Sequence, residues 1–238
     1  MTNGNRNRAN CGGSSSNVAD SFQTFFNGWL GRQQHFLDQL LSAQQCSHEP
    51  PYEDLKDLVR GVLAHYQQYY EEKSRMVQQN VFLVFCPTWF SPFERSTLWI
   101  GGFKPALAFR LVSDSVPDLS LEQRESMQRL ILETRVEERI LNDEMARIQE
   151  SMAGPQLLEI ARQRAQLGGG VIAEEAAGLD LLRKAMEEVM ASADMLRITT
   201  AARVVEILNP VQNVKFFAAA AQLMLAARNV GWQNDAEN

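Results

Sequence analysis

Residues that could do chemistry are few in this chain of 238. It has three histidines: His35, His48 and His65. A metal site built on one helix needs ligands at i and i+3 or i+4, so that both point to one side. No histidine stands at that spacing from another. The natural reading of His35 and His65 is structural, and His48, beside Pro50 and Pro51, reads as solvated. Glu133, Glu137, Glu138, Asp143 and Glu144 alternate with Arg135, Arg139 and Arg147. A di-metal bundle needs Glu-x-x-His, and Glu144 is followed at i+3 by Arg147, so the motif is absent. The run reads as a solvated helix face carrying charge pairs one turn apart.

The nucleophile inventory is equally thin. Cys11, Cys46 and Cys86 are widely separated and form no CxxC pair, which points away from a disulfide framework and from zinc. Gly168-Gly169-Gly170 lies in neither GxxxxGK[ST] nor GxGxxG, so it reads as a joint and not a phosphate cradle. There is no GxSxG element. The expectation is a non-enzyme with no catalytic residue, no metal and no cofactor.

Charge narrows the partners. The net charge is −6 and the pI about 5.2. Duplex DNA is held by clustered Lys and Arg, and the nearest such group is Arg6 and Arg8. No autonomous specific DNA binding is expected. No apolar stretch nears the ~18 residues of a membrane span, and residues 1–20 lack the apolar run of a secretion signal.

The densest information lies in residues 88–105, TWFSPFERSTLWIGGFKP. Two tryptophans, three phenylalanines, a Glu94-Arg95 pair and a Gly101-Gly102 break fall within it. An aromatic side chain buries roughly 150–250 Å², so the segment must serve a core or an interface.

The elements that must position it are helical. Phe22, Phe25, Phe26, Trp29, Leu37, Leu40 and Leu41 recur at helical spacing after a cap at Asp20 or Ser21. Leu55, Val59, Val62, Tyr66 and Tyr69 continue the pattern from Tyr52, and the helix is expected to run through Val84 to Pro87. Ser91-Pro92 starts a further helix towards Gly101. Ser120 to Gln123 is a capping box opening a long helix, expected to reach Leu167 with a kink at Gly154-Pro155. Two last helices are expected, Glu174 to about Leu208 and Val211 to about Val230. The stripe Met186, Val189, Met190, Ala193 and Leu196 reads as core. The fold class is all-α: a single multi-helix bundle-like domain over 20–232. A disordered N-terminal tail covers 1–19 and a polar tail 233–238.

The segment also carries a resemblance. Trp89, then Pro92-Phe93-Glu94-Arg95, then Leu98-Trp99-Ile100-Gly101-Gly102-Phe103-Lys104-Pro105 resembles the signature of the plant Delay of Germination domain. Val62 to Tyr66, Glu72-Lys73, the opening Phe25 to Leu30 and the late Ile207 to Gln212 with Phe216-Phe217 are similar to the same family. That domain occurs alone in seed-dormancy proteins and after a leucine zipper in TGA-type bZIP transcription factors. This chain shows no basic region or zipper and is therefore expected to resemble the stand-alone members. Haem binding in the family depends on late histidines, and none follows His65.

The resemblance implies a plant regulator in seed dormancy, abscisic acid or stress signalling, or transcription control, present in nucleus and cytoplasm. An alternative family role is pollen aperture formation. Protein contacts would carry it, with type-2C protein phosphatases, transcription factors or a second copy in a homodimer as partners. Trp89, Pro92, Phe93, Glu94, Arg95, Trp99, Gly101, Gly102, Phe103, Lys104 and Pro105 would serve as fold determinants or partner contacts. Trp99 to Phe103 would form a tight turn between packed helices, with Glu94 and Arg95 pairing or reaching backbone carbonyls. A competing function is a helical receptor for a hydrophobic small molecule, which nine methionines and twelve phenylalanines would permit.

Overall fold

The computed structural model describes residues 13–45, 51–152 and 173–236. Among the described residues the architecture is all-α, with eight helices and no strand. They are α1 (Gly13–Gln45), α2 (Tyr52–Asn80), α3 (Phe82–Phe85) and α4 (Pro92–Ser96), followed by α5 (Leu107–Ser115), α6 (Leu121–Met152), α7 (Ala173–Ile207) and α8 (Pro210–Ala236).

Local sequence explains several starts. Ser91 accepts from the Glu94 amide at 3.1 Å, and the Glu94 carboxylate accepts from the Ser91 amide at 2.8 Å. This box satisfies two of the donors a helix start leaves open. The Ser120 and Gln123 side chains and amides repeat the exchange at α6, at 3.1 and 3.0 Å. Asn209 and Gln212 do the same at α8, at 2.9 and 3.0 Å, with Pro210 in the first helical position.

The long helices pack in antiparallel pairs. α6 lies along α7, α1 lies between α2 and α8, and the short α4 and α5 rest on α8. The core forms two clusters. One centres on Leu40, Val62, Val112, Leu130, Val204 and Phe217. The other centres on Phe26, Trp29, Val81, Trp89, Met190 and Ala193. Tyr66 touches both. The stripe Met186, Val189, Met190 and Ala193 is buried, as its spacing predicts.

Several boundaries differ from expectation. α1 runs from Gly13, earlier than the start expected at Asp20 or Ser21, and Val18 and Ala19 pack against the second cluster. α8 extends to Ala236, past the helix end expected near Val230. α2 stops at Asn80, whose side-chain oxygen accepts from the Phe82 amide at 3.1 Å, and α3 is a separate turn. Such a side-chain bond offers the backbone an alternative to the helical ladder. α4 ends at Ser96, well short of Gly101. α6 is described to Met152; Gly154-Pro155, Gly168 to Gly170, Cys11, Cys46 and His48 lie outside the described residues.

Candidate functional site

The signature segment is two tight local structures joined in sequence. The first is the capped α4. The second is a turn in which Trp99 and Gly102 exchange both backbone hydrogen bonds, at 2.7 and 3.2 Å. Its two central residues have positive φ, 42° at Ile100 and 64° at Gly101. This is the dihedral pattern of a type I′ turn, which prefers Asn-Gly. A β-branched residue at positive φ costs about 1–3 kcal/mol and persists only where the surroundings over-determine it.

Two arginines from the last two helices hold these two local structures, one each. Arg197 of α7 donates from Nε to the Phe103 carbonyl at 2.7 Å and from Nη2 to the Ile100 carbonyl at 2.8 Å. Nη2 also donates to the Trp99 carbonyl, and the guanidinium lies 5.3 Å from the Trp99 ring centre. One planar fork thus ties three carbonyls of the turn, a geometry that lysine cannot copy. The fit is close. A Cβ on Gly102 would sit 2.8 Å from Arg197 Cζ, and one on Gly101 would sit 2.5 Å from Met190 Cε.

Arg228 of α8 performs the matching task for the first half. Its Nη1 donates to the Trp89 carbonyl at 2.8 Å and lies 3.3 Å from Glu94 Oε1. Its guanidinium stacks 5.3 Å from the ring centres of Phe26 and Trp232. Glu94 therefore caps its own helix and neutralises a cation from a helix over a hundred residues away. Arg95 does not pair with Glu94; it donates to the Phe90 carbonyl at 2.7 Å.

The signature splits by burial. Trp89, Glu94, Gly101 and Pro105 are buried; Trp99, Gly102 and Phe103 are half-buried. Pro92, Phe93, Arg95 and Lys104 face solvent. The Trp99 indole donates to Asn142 of α6 at 2.7 Å. Lys104 lies 3.5 Å from Glu138, whose other oxygen accepts from the Ala106 amide at 2.8 Å. Glu138 is buried, so the expectation of a wholly solvated carboxylate face on α6 is corrected at this position. Its charge is held by the amide at the start of α5 and by Lys104.

Behind the segment lies an open cavity of about 770 Å³. Trp29, Tyr66, Phe103, Leu111, Phe217 and Met224 are among its apolar walls. Burial pushes the Tyr66 hydroxyl up to about 12, opposed by the hydrogen bond from Gln33 at 2.8 Å. Burial also raises Tyr69 and Tyr70. Lys73 is fully buried at the same wall and pairs with Asp194 at 2.7 Å. Burial brings its ammonium down to about 8, against the pull of Asp194. Arg197 binds the same Asp194 oxygen, so two cations share one carboxylate beside the cavity.

His65 takes no part in a ligand set. It is buried, stacks 4.3 Å from the Trp29 ring centre, and neither ring nitrogen has a hydrogen-bond partner. Burial first, and Arg32 second, bring its pKa down to about 4. His35 contacts Gln39 on the surface. Among the described residues no group of three His, Cys, Asp or Glu side chains is placed to hold a metal, and no helix is long and apolar enough to cross a membrane.

Sequence reading missed Arg197, Arg228, Asp194 and Glu138. Arg197 adjoins the predicted core stripe at Leu196, and an arginine inside an apolar stripe was the available signal.

Comparison with known proteins places the chain in a family. The pattern described as "DOG1: Seed dormancy control" matches residues 36–114, which include the whole signature from Trp89 to Pro105. Protein ZW2 of Arabidopsis thaliana is 37% identical over 219 residues, 90% of this chain and 97% of that protein. Protein RESPONSE TO ABA AND SALT 1 of the same plant is 36% identical over 218 residues, 89% of this chain and 95% of that protein. Transcription factor TGA2.1 of rice is 28% identical over 139 residues, 58% of this chain but 41% of the factor. With similarity running nearly end to end in the first two, the chain belongs to the DOG1 seed dormancy control family.

Proposed function

We propose that this protein is a non-enzymatic plant regulator that acts through protein–protein contacts in dormancy, abscisic acid or salt signalling, or transcription control. The observation that carries the proposal is the near-complete overlap with Protein RESPONSE TO ABA AND SALT 1, at 36% identity over 95% of that protein. The match to the rice TGA factor covers 41% of it, which supports a module shared with part of that factor. A net charge of −6 favours the same reading. Type-2C protein phosphatases and TGA-type factors are the candidate partners, and nucleus and cytoplasm the compartments. The exposed signature residues Phe93, Arg95 and Lys104 are the proposed contact points. The test is binding of purified candidate partners to wild type and to Phe93→Ala, at an exposed side chain that holds no buried charge. Loss of binding at unchanged melting temperature supports the reading; wild type that binds neither partner class refutes it.

A second reading rests on the cavity of about 770 Å³, a volume in the range of small-molecule sites. Its apolar walls and the cationic excess of Lys73 and Arg197 over Asp194 suit an apolar ligand with one acidic group. Native mass spectrometry of protein purified from plant tissue separates the two. A stoichiometric bound molecule favours the receptor, and ligand-free protein that co-purifies with a phosphatase or zipper factor favours the adaptor.

A further inference from the structure

The signature segment is itself a wall of the cavity. Phe90, Glu94, Leu98, Gly102, Phe103 and Pro105 are among the residues that line it. The segment therefore has an inner side against the cavity and an outer side on which Phe93 and Arg95 face solvent. Whatever fills the cavity bears on the turn directly.

One corner of the cavity carries an unbalanced charge. Lys73 and Arg197 both line it. Their side chains are 1% and 6% exposed and meet on the same oxygen of Asp194, itself 14% exposed. Two buried cations thus share one carboxylate, and a buried charge without its counter-charge is costly. Glu94, the other buried carboxylate of this region, is already taken by Arg228. The remaining lining charges, Glu71, Arg75 and Lys104, are exposed and screened by water and salt.

Donors in this corner are unmet as well. Among the described residues, Asp194 is the one hydrogen-bond partner of the Lys73 ammonium, at 2.7 Å, although an ammonium offers three N–H groups. Tyr69 and Tyr70 line the cavity too, and among the described residues neither hydroxyl is hydrogen-bonded. The corner has donors and positive charge in excess and lacks an acceptor. An acidic group supplies both the acceptor and the missing charge, and the apolar walls take the body that carries it.

Arg197 links this corner to the turn. Its Nη1 meets Asp194, while Nε and Nη2 donate to the Phe103, Ile100 and Trp99 carbonyls. As the structure stands, Asp194 divides its pull between Lys73 and Arg197. An acid group seated on Lys73 would leave Asp194 to Arg197, and the guanidinium would be anchored at one end while it holds the turn at the other.

We infer that an acidic apolar ligand seats its acid group on Lys73, Tyr69 and Tyr70 and thereby stiffens the signature turn at Trp99 to Gly102. This rests on the second reading above and adds regulation to it: the inner site governs the segment whose outer side is the proposed contact face. Such coupling is reciprocal, so a partner that holds the turn tightens the ligand by the same factor.

Two dyes test the inference on the full chain. Anilinonaphthalene sulfonate carries one acid group, and phenylnaphthylamine is the same ring system without it. Wild type is expected to bind the sulfonate saturably, about tenfold more tightly than the uncharged dye, the scale of a charge-assisted hydrogen bond. Lys73→Met should bring the two dyes level. The Trp99 and Gly102 amides close the turn, and the saturating sulfonate should slow their hydrogen exchange by about threefold or more. The uncharged dye should leave it unchanged. If Lys73→Met fails to fold, the two dyes on wild type decide the matter alone. Binding of neither dye overturns both the receptor reading and the inference. Equal binding of the two, or sulfonate binding that survives Lys73→Met, leaves an apolar receptor and overturns the inference. Tight sulfonate binding with unchanged exchange at Trp99 and Gly102 leaves a receptor for acids and overturns the coupling.

Discussion

Arg197 holds Trp99 at both ends: its guanidinium donates to the Trp99 carbonyl and lies 5.3 Å from the centre of the Trp99 ring. The same side chain reaches Ile100 and Phe103, so the turn of the signature is set by a residue about a hundred positions later.

Arg197→Ala should therefore destabilise the protein by about 3 kcal/mol, since it strips buried carbonyls of their donor. Arg197→Lys should recover less than half of that, because an ammonium cannot serve three carbonyls with a planar fork. Urea unfolding of the three proteins checks both; a lysine variant as stable as wild type would refute the clamp.

Two glycines should respond in opposite directions. Gly101 has φ 64°, and a Cβ there would lie 2.8 Å from both Met190 Sδ and Val84 Cγ1. Gly101→Ala pays the left-handed penalty of about 1–2 kcal/mol together with overpacking of about 1–3 kcal/mol. Gly31 sits within α1 with nothing inside 4 Å of its Cβ position. Gly31→Ala should stabilise by about 0.5–1 kcal/mol. Thermal melts of the pair read the contrast directly.

The tryptophans should rank by burial. Trp29 is fully buried and its indole donates to the His65 carbonyl at 2.9 Å, so Trp29→Ala should cost about 3–5 kcal/mol. Trp99 is half-buried; Trp99→Phe loses the bond to Asn142 and should cost about 1 kcal/mol. Glu133→Ala, in an exposed pair with Arg203, should stay within about 0.5 kcal/mol. Denaturant midpoints at constant slope would establish the order.

Acid should unfold the protein partly through His65. Its folded pKa of about 4 lies below the ordinary 6.5. The unfolded chain binds the extra proton between those values, so unfolding free energy rises with pH there. The contribution is fully present above pH 6.5 and is lost as pH falls towards 4. His65→Phe should flatten the stability profile across this window. An unchanged slope would show that the ring is protonated without cost.

Removing the first nineteen residues should not be neutral. Val18 and Ala19 pack against the cluster of Phe22 and Phe26, so a chain starting at Asp20 loses apolar contacts and its first helical turns. A fall of about 1 kcal/mol, or some 2–4 °C, is expected in a domain of this size. A melt identical to the full chain would show that the contacts of Val18 and Ala19 add nothing to stability.

What the sequence determined by itself was local. The boxes at Ser91–Glu94 and Ser120–Gln123 close within one turn, and the apolar period of α2 and α7 repeats within a few residues. Those signals depend only on neighbours along the chain, which is why the all-α class and most helix starts could be read. Residues 88–105 also stood out, because so many aromatics cannot remain solvated.

Tertiary structure decided the rest. The turn at Ile100-Gly101 breaks the preference for Asn-Gly, and it exists because Arg197 and Met190 enclose it from another helix. Glu94 was legible as a cap but not as the partner of Arg228, and Glu138 looked like one more solvated carboxylate until the start of α5 and Lys104 closed over it. A charged side chain on a helix carries the same local pattern whether it meets water or a distant carbonyl. Only the packing that brings α7 and α8 back onto the signature tells the two apart.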